Sequence, residues 1–172
     1  MGWLFRFEFQ YSILMSEHEQ TGNVPVGRPH LKAPIFVYQR KLERIEELID
    51  EMLECSNKGD LIVVEGKRDV ISLRKLGFHG AIELATHRPL TEVSARIVNT
   101  GKRVIILTDW DRRGDLLASK ISEDLRYFGI DVDMYMRERL SSMVKKEIKD
   151  VESLYSYVTK LRKIAGSSHQ AV

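Results

Sequence analysis

Short runs of aliphatic and β-branched residues that alternate with stretches of helical spacing constrain this chain more than any other feature. The runs are Leu61 to Val64, Ala81 to Ala85, Val104 to Leu107 and Ile130 to Met136. Between them, Val70 to Leu76 stops at Gly77, Leu90 to Val98 forms a second amphipathic stretch, and Leu116 to Phe128 closes at Gly129. Continuous apolar runs suit strands covered on both faces, and strand–helix alternation at this spacing implies right-handed βαβ units. The expected fold is α/β, with a mainly parallel sheet of about four strands sandwiched by helices.

The flanks differ in character. Leu42, Ile45, Leu48, Ile49, Met52 and Leu53 recur at helical spacing, so residues 38–57 are expected to form an amphipathic helix packed on the core, ended by Asn57 and Gly59. Ahead of it, Gly22, Pro25, Gly27 and Pro29 break any periodicity, and residues 1–37 are assigned to a flexible extension. The aromatic-rich start to Met15 is interrupted by Arg6 and Glu8, which argues against a secretory signal or a membrane span. Met15 opens a plain polar segment, so Met1 to Leu14 reads either as residues preceding the true start or as a disordered arm. Arg137 to Asp150 is basic and weakly periodic, expected as a loop with some helical turn. Val151, Leu154, Tyr155, Val158 and Leu161 mark a closing helix ending near Gly166, and residues 167–172 are expected to be a disordered tail. The main domain spans 58–166.

A net charge of +2 over 172 residues does not announce a nucleic-acid binder, so any basic surface has to come from local clustering. The single cysteine, Cys55, excludes an intramolecular disulfide and a multi-cysteine zinc site and fits a reducing, cytoplasmic setting.

In an open parallel sheet, ligands collect beyond the carboxyl ends of the strands. Glu65 follows the first strand run, Thr86, His87 and Arg88 the second, and Asp109 and Asp111 the third. In extended backbone Asp109 and Asp111 point the same way, and two like charges on one side call for a hard cation such as magnesium. The alternative is that Asp111 N-caps the next helix while Asp109 complements its dipole. Glu65 is either paired with Lys67 or Arg68 at the rim, or acts as a general acid/base or further metal contact. Gly66 allows a sharp turn or a close approach of phosphate. Lys67, Arg68, Arg112 and Arg113 flank these acids, and Arg137, Arg139, Lys145 and Lys146 follow the fourth strand. They form either a solvated face or a set of phosphate contacts, to which His87 and Arg88 add. Tyr127 and Phe128 are expected to pack in the core, as is Trp110 between the two aspartates.

Val64-Glu65-Gly66-Lys67-Arg68-Asp69 after one strand, followed by Asp109-Trp110-Asp111-Arg112-Arg113-Gly114 after a later one, resembles the Toprim domain. That domain occurs in topoisomerases, bacterial-type primases, OLD-type nucleases and the ribonuclease that matures 5S ribosomal RNA. The Glu-Gly-Lys-x-Asp form looks closest to that ribonuclease and to small stand-alone, primase-like Toprim proteins of archaea and bacteria. The resemblance implies a Rossmann-like fold with Glu65 as general acid/base, Asp109 and Asp111 as magnesium ligands (manganese being an alternative ion), and Gly114 at the entry to a helix. Asp69, Asp150 and Glu152 are candidate accessory acids. Asp150 with Glu152 reads equally as a helix cap.

Other Asp-x-Asp chemistries fit less well. Haloacid-dehalogenase phosphatases carry the pair after the first strand, receiver domains reverse the order of acids seen here, and no phosphate-loop or dinucleotide fingerprint occurs. Two functions remain open. One is magnesium-dependent phosphodiester chemistry on RNA or DNA, nuclease-like or primase-like. The other is a non-catalytic nucleic-acid-binding module or subunit, with a protein partner supplying substrate binding and no membrane involved.

Overall fold

A computed structural model describes residues 33–166. Among these residues the element order is α1 (Ile35–Asn57), β1 (Leu61–Val64), α2 (Lys67–Lys75), β2 (Ile82–Leu84), α3 (Leu90–Val98), β3 (Val104–Ile106), α4 (Arg112–Tyr127), β4 (Val132–Asp133), α5 (Tyr135–Val144) and α6 (Leu154–Gly166). The strands form one all-parallel sheet in the order β2-β1-β3-β4. The expectations for residues 1–32 and 167–172 lie outside the described residues. Among the described residues no helix is long and apolar enough to cross a membrane.

Alternation within the strands builds two cores. Ile62, Val64, Ile105 and Leu107 face one side, where they pack with buried residues of α1, α2, α5 and α6. Leu61, Val63, Val104 and Ile106 face the other, against Val93 and Ile97 of α3 and Ala118, Ile121 and Leu125 of α4. Strands buried on both faces need no polar alternation, which is why each reads as an unbroken aliphatic run.

The chain turns one way from β1 to β2, then crosses back to β3 and continues to β4. Neighbouring strands β1 and β3 therefore send their following helices, α2 and α4, to opposite faces. This is the topological switch point, where the helices diverge and leave a crevice above the strand ends. The register Leu61↔Val104 through Val63↔Ile106, carried on by two residues, sets Glu65 level with Thr108, next to Asp109.

Several boundaries differ from the sequence expectation. The fourth strand is two residues long, not the run from Ile130 to Met136, because Asp133 Oδ1 accepts from Met136 N (3.1 Å) and starts α5 there. The segment expected to be a loop from Arg137 onward is largely this helix, whose Met136, Leu140 and Val144 enter the core. Arg137 at a buried position and Arg139 beside it interrupted that apolar stripe. Helices α2 and α4 also begin earlier than their apolar periodicity, at Lys67 and Arg112, since their first turns display charge at the rim. Tyr127 and Phe128 are not core residues. They are 85% and 58% exposed and stack edge-on at 5.2 Å at the end of α4. Trp110 is buried as expected, with Nε1 donating to Ile148 O at 2.8 Å.

Helix α1 is integral to the larger core, since Ile45, Leu48 and Met52 are fully buried within it. Leu48→Ala is expected to lower unfolding stability by about 2–5 kcal/mol in urea titration, the range for a cavity in a packed core. An effect near zero would show that α1 is not part of the cooperative unit.

Candidate functional site

A cleft of about 330 Å³ opens over the switch point. Glu65 and Asp109 form its floor with Asp69 from the first turn of α2. Lys67, Arg68, Thr86, His87, Arg113 and Glu152 complete its lining. The two motifs are in direct contact, because Asp109 N donates to Glu65 Oε1 at 3.2 Å. Thr86 Oγ1 donates to Glu65 O at 2.6 Å and so ties the loop after β2 to the glutamate's backbone.

The loop after β3 is pinned from several directions. Thr108 is fully buried, with Oγ1 donating to Gly114 O at 2.9 Å. Asp111 caps α4 by accepting from Gly114 N at 2.8 Å. Asp109 Oδ1 accepts from Val151 N at 2.9 Å, and Trp110 N donates to Lys149 O at 3.1 Å, so the segment ahead of α6 straps onto the aspartate loop. Asp150 Oδ1 in turn accepts from Ser153 N at 2.9 Å and closes the turn ahead of α6; the helix itself begins only at Leu154, so neither Asp150 nor Glu152 stands in its first turn.

The glycines play different parts. A Cβ on Gly114 would stand 1.9 Å from Asp109 O and 3.0 Å from Glu65 Oε1, so no side chain fits there. Gly66 has an extended backbone (φ −146°) and no protein atom within 4 Å of where a Cβ would lie. Its open front faces the cleft, and its amide donates to Asp69 Oδ2 at 2.8 Å.

Burial and mutual repulsion weaken the acids. Burial pushes Asp109 from the usual 3.8 up to about 6, with Asp69, Glu65 and Asp150 adding to the rise and the Val151 amide opposing it. Glu65 is raised by burial, then by Asp111 and Asp69, against the Asp109 amide and Arg113. Asp69 is raised by burial and by Glu152 and Asp150, against the Gly66 amide.

Not every candidate reaches the cleft. Asp111 lies beside it, close enough to act on Glu65, and Arg112 is exposed next to Asp111. Arg68 Nη1 lies 3.7 Å from Glu152 rather than on Glu65. Arg88 is paired with Glu92 one turn into α3. Arg139 pairs with Glu51 of α1 and covers the Tyr135 ring, away from the strand ends. Arg137 is buried behind the aspartate loop instead of being displayed to solvent. Sequence reasoning missed Asp115, which pairs with Arg137, and the Val151 amide. A backbone donor carries no residue-type signal, although the acidic Asp150-Val151-Glu152 element marked its neighbourhood.

Hard carboxylate oxygens with excess negative charge suit magnesium by donor type. Glu65, Asp109 and Asp111 each use one described oxygen on a backbone amide, leaving the second for a ligand. Among the described residues, however, no three acidic, histidine or cysteine side chains are gathered as a closed ligand set.

A parallel sheet with a glutamate after β1 and an Asp-x-Asp after the adjacent β3 defines a Toprim domain, and the Toprim domain family matches residues 59–135. A solved structure of a putative protein from Aquifex aeolicus is similar, with a TM-score of 0.53 and 29% identity over 63% of this chain and 95% of that one. A UPF0292 protein of Methanosarcina acetivorans is 54% identical over 134 residues, 78% of this chain and 93% of the relative. Another, from Methanocaldococcus jannaschii, is 42% identical over 124 residues, 72% of this chain and 93% of the relative. The chain belongs to the UPF0292 family.

Gly114→Ala is expected to cost about 1–3 kcal/mol or more through forced separation of Asp109 from α4, measured by urea unfolding. The same change at Gly66 should be nearly neutral for stability. The raised acid of Asp109 binds its proton more tightly folded than unfolded. Its contribution is therefore fully present below the unfolded value and is lost as pH rises through about 6. In EDTA, Asp109→Asn, which keeps an oxygen for Val151 N, is expected to melt higher than the parent at about pH 7.5. The gap should close toward about pH 5. A gap independent of pH would show that Asp109 charge is not the source.

Proposed function

We propose that this protein carries out magnesium-dependent chemistry on nucleic-acid phosphodiesters, with manganese as an alternative ion. The observation that carries this reading is the contact between Glu65 and Asp109, acidic residues from two separate strand ends, in a cation-rimmed cleft. Asp109 and Asp111 would hold the ion through their remaining oxygens, and Glu65 either transfers a proton or, as the alternative, adds a metal contact. Bound magnesium supplies positive charge that offsets the charge developing on the phosphate.

The chain's own residues account for the rest. Burial raises the proton affinity of Glu65, which is the direction that favours proton transfer, so Glu65 delivers a proton to a departing oxygen or takes one from an attacking hydroxyl. Lys67, Arg68 and Arg113 at the cleft, with Arg112 and His87 beside them, hold phosphate oxygens and set the strand's position without reading its bases. Asp69 keeps the turn after β1 in shape through the Gly66 amide.

A second reading has its own support. Lys67, Arg68 and Arg113 line the cleft and suit phosphate contacts in themselves, as in a nucleic-acid-binding module or subunit that binds without turnover and relies on a partner protein.

The test is incubation of the protein with labelled structured RNA, single-stranded DNA and duplex DNA, with magnesium or with EDTA. Cleavage or strand extension that needs magnesium and falls at least ~100-fold in Glu65→Gln is expected from loss of general acid/base help. Retention of nucleic acid without turnover, unchanged in Glu65→Gln, would favour the module and sink the enzyme.

A further inference from the structure

The aspartate loop has a second support that the proposed chemistry does not use. Alternate residues of β3 bond alternate neighbours: Val104 N donates to Asp131 O on the β4 side, and Leu107 N to Val63 O on the β1 side. Thr108 therefore turns its carbonyl toward β4. That strand has already ended, since β4 pairs only Val104 and Ile105. A buried carbonyl left without a donor there would be costly.

Arg137, one turn into α5, fills the gap. Its side chain is 6% exposed. Nε donates to Thr108 O at 3.0 Å, and Nη2 donates to Asp109 O and lies 2.6 Å from Asp115 Oδ1. The fork thus replaces the missing strand neighbour and holds the Asp109 peptide, whose carbonyl Gly114 also approaches closely. With its peptide held by Arg137, its carbonyl against Gly114 and Oδ1 on the Val151 amide, Asp109 has little freedom left in the direction of its second oxygen.

We propose that Arg137 is a positioning residue: it sets the peptide that carries Asp109 and so aims that carboxylate at the ion. This rests on the magnesium reading above. The fork geometry is what matters, because one planar group has to reach two carbonyls and a carboxylate at once. A lysine keeps the charge but offers a single point of donation. Asp115 balances the buried charge at the surface, its own side chain being 65% exposed, and contributes less to the loop.

The experiment compares the parent, Arg137→Lys and Asp115→Asn by magnesium calorimetry, thermal melting and amide chemical shifts of Asp109 to Gly114 in EDTA. For Arg137→Lys, shifts confined to this loop and a magnesium affinity roughly 10- to 100-fold weaker are expected, as for partners that orient metal ligands. Asp115→Asn should keep an affinity within a few-fold of the parent. A lower melting temperature with unchanged affinity and unmoved loop amides would make Arg137 merely structural and overturn the proposal. If the parent itself binds no magnesium, the metal reading fails, and the loop amides still decide whether Arg137 sets Asp109. Should Arg137→Lys not fold, Arg137→Gln, which keeps a planar donor, provides the same comparison.

Discussion

The close approach of Gly114 to the Asp109 carbonyl organises the molecule's functional edge. Helix α4 begins so near the end of β3 that no side chain fits between them. That proximity lets Asp111 cap the helix through the Gly114 amide and lets Thr108 reach the Gly114 carbonyl. A larger residue would separate β3 from α4 and break both bonds. Glu65 Oε1 also stands near the same glycine, so one small residue keeps the two acidic motifs in contact.

Charge works against this packing. Glu65, Asp69 and Asp109 are all weaker acids than usual, burial being the largest cause in each case and neighbouring carboxylates adding to it. A domain selected for stability alone would not gather four carboxylates around one crevice, since like charges in a desolvated site oppose folding. The opposing supports are backbone amides and Arg113 on the cleft side and Arg137 behind the loop. Several of the basic residues at the rim are exposed, so they screen the acids weakly and stay available to an anionic ligand. Strain of this kind, held in place by fixed donors, is the form that a preorganised site for cation and phosphate takes.

The fold was legible because the sheet is buried on both faces. Leu61 to Val64 and Val104 to Leu107 are unbroken apolar runs, and helix α3 ends where its spacing ends, at Val98. The edge of the sheet was not legible. Ile130 to Met136 has the composition of a strand, yet the Asp133 carboxylate starts a helix after two paired residues, and a local cap outweighs propensity at an edge with one neighbour. Tyr127 lies two residues past Leu125, on the face of α4 away from its buried stripe, and Phe128 is the residue after the last helical turn, so both lie exposed. At the site, Glu65, Asp109 and Asp111 could be placed by the strand-end rule, which needs only sequence order. The fate of each arginine could not, since Arg113 and Arg137 differ in burial through tertiary position rather than local pattern.

The short β4 and the buried Arg137 are consequences of one another. A longer β4 would have supplied the Thr108 carbonyl with a backbone donor, but it would have pushed α5 away from the sheet end and left no room for a guanidinium. Ending the strand at Asp133 brings α5 in one turn earlier and puts a side chain where a backbone would have been. Side-chain donors can reach past the plane of the sheet, so Arg137 contacts the carbonyls of two successive residues, which no strand neighbour in regular pairing does from one side. The exchange places control of the Asp109 loop in a residue from the far half of the chain. Together with the strap from Ile148 to Val151, it makes the acidic site depend on the folding of α5 and α6 as well as on the two motifs that form it.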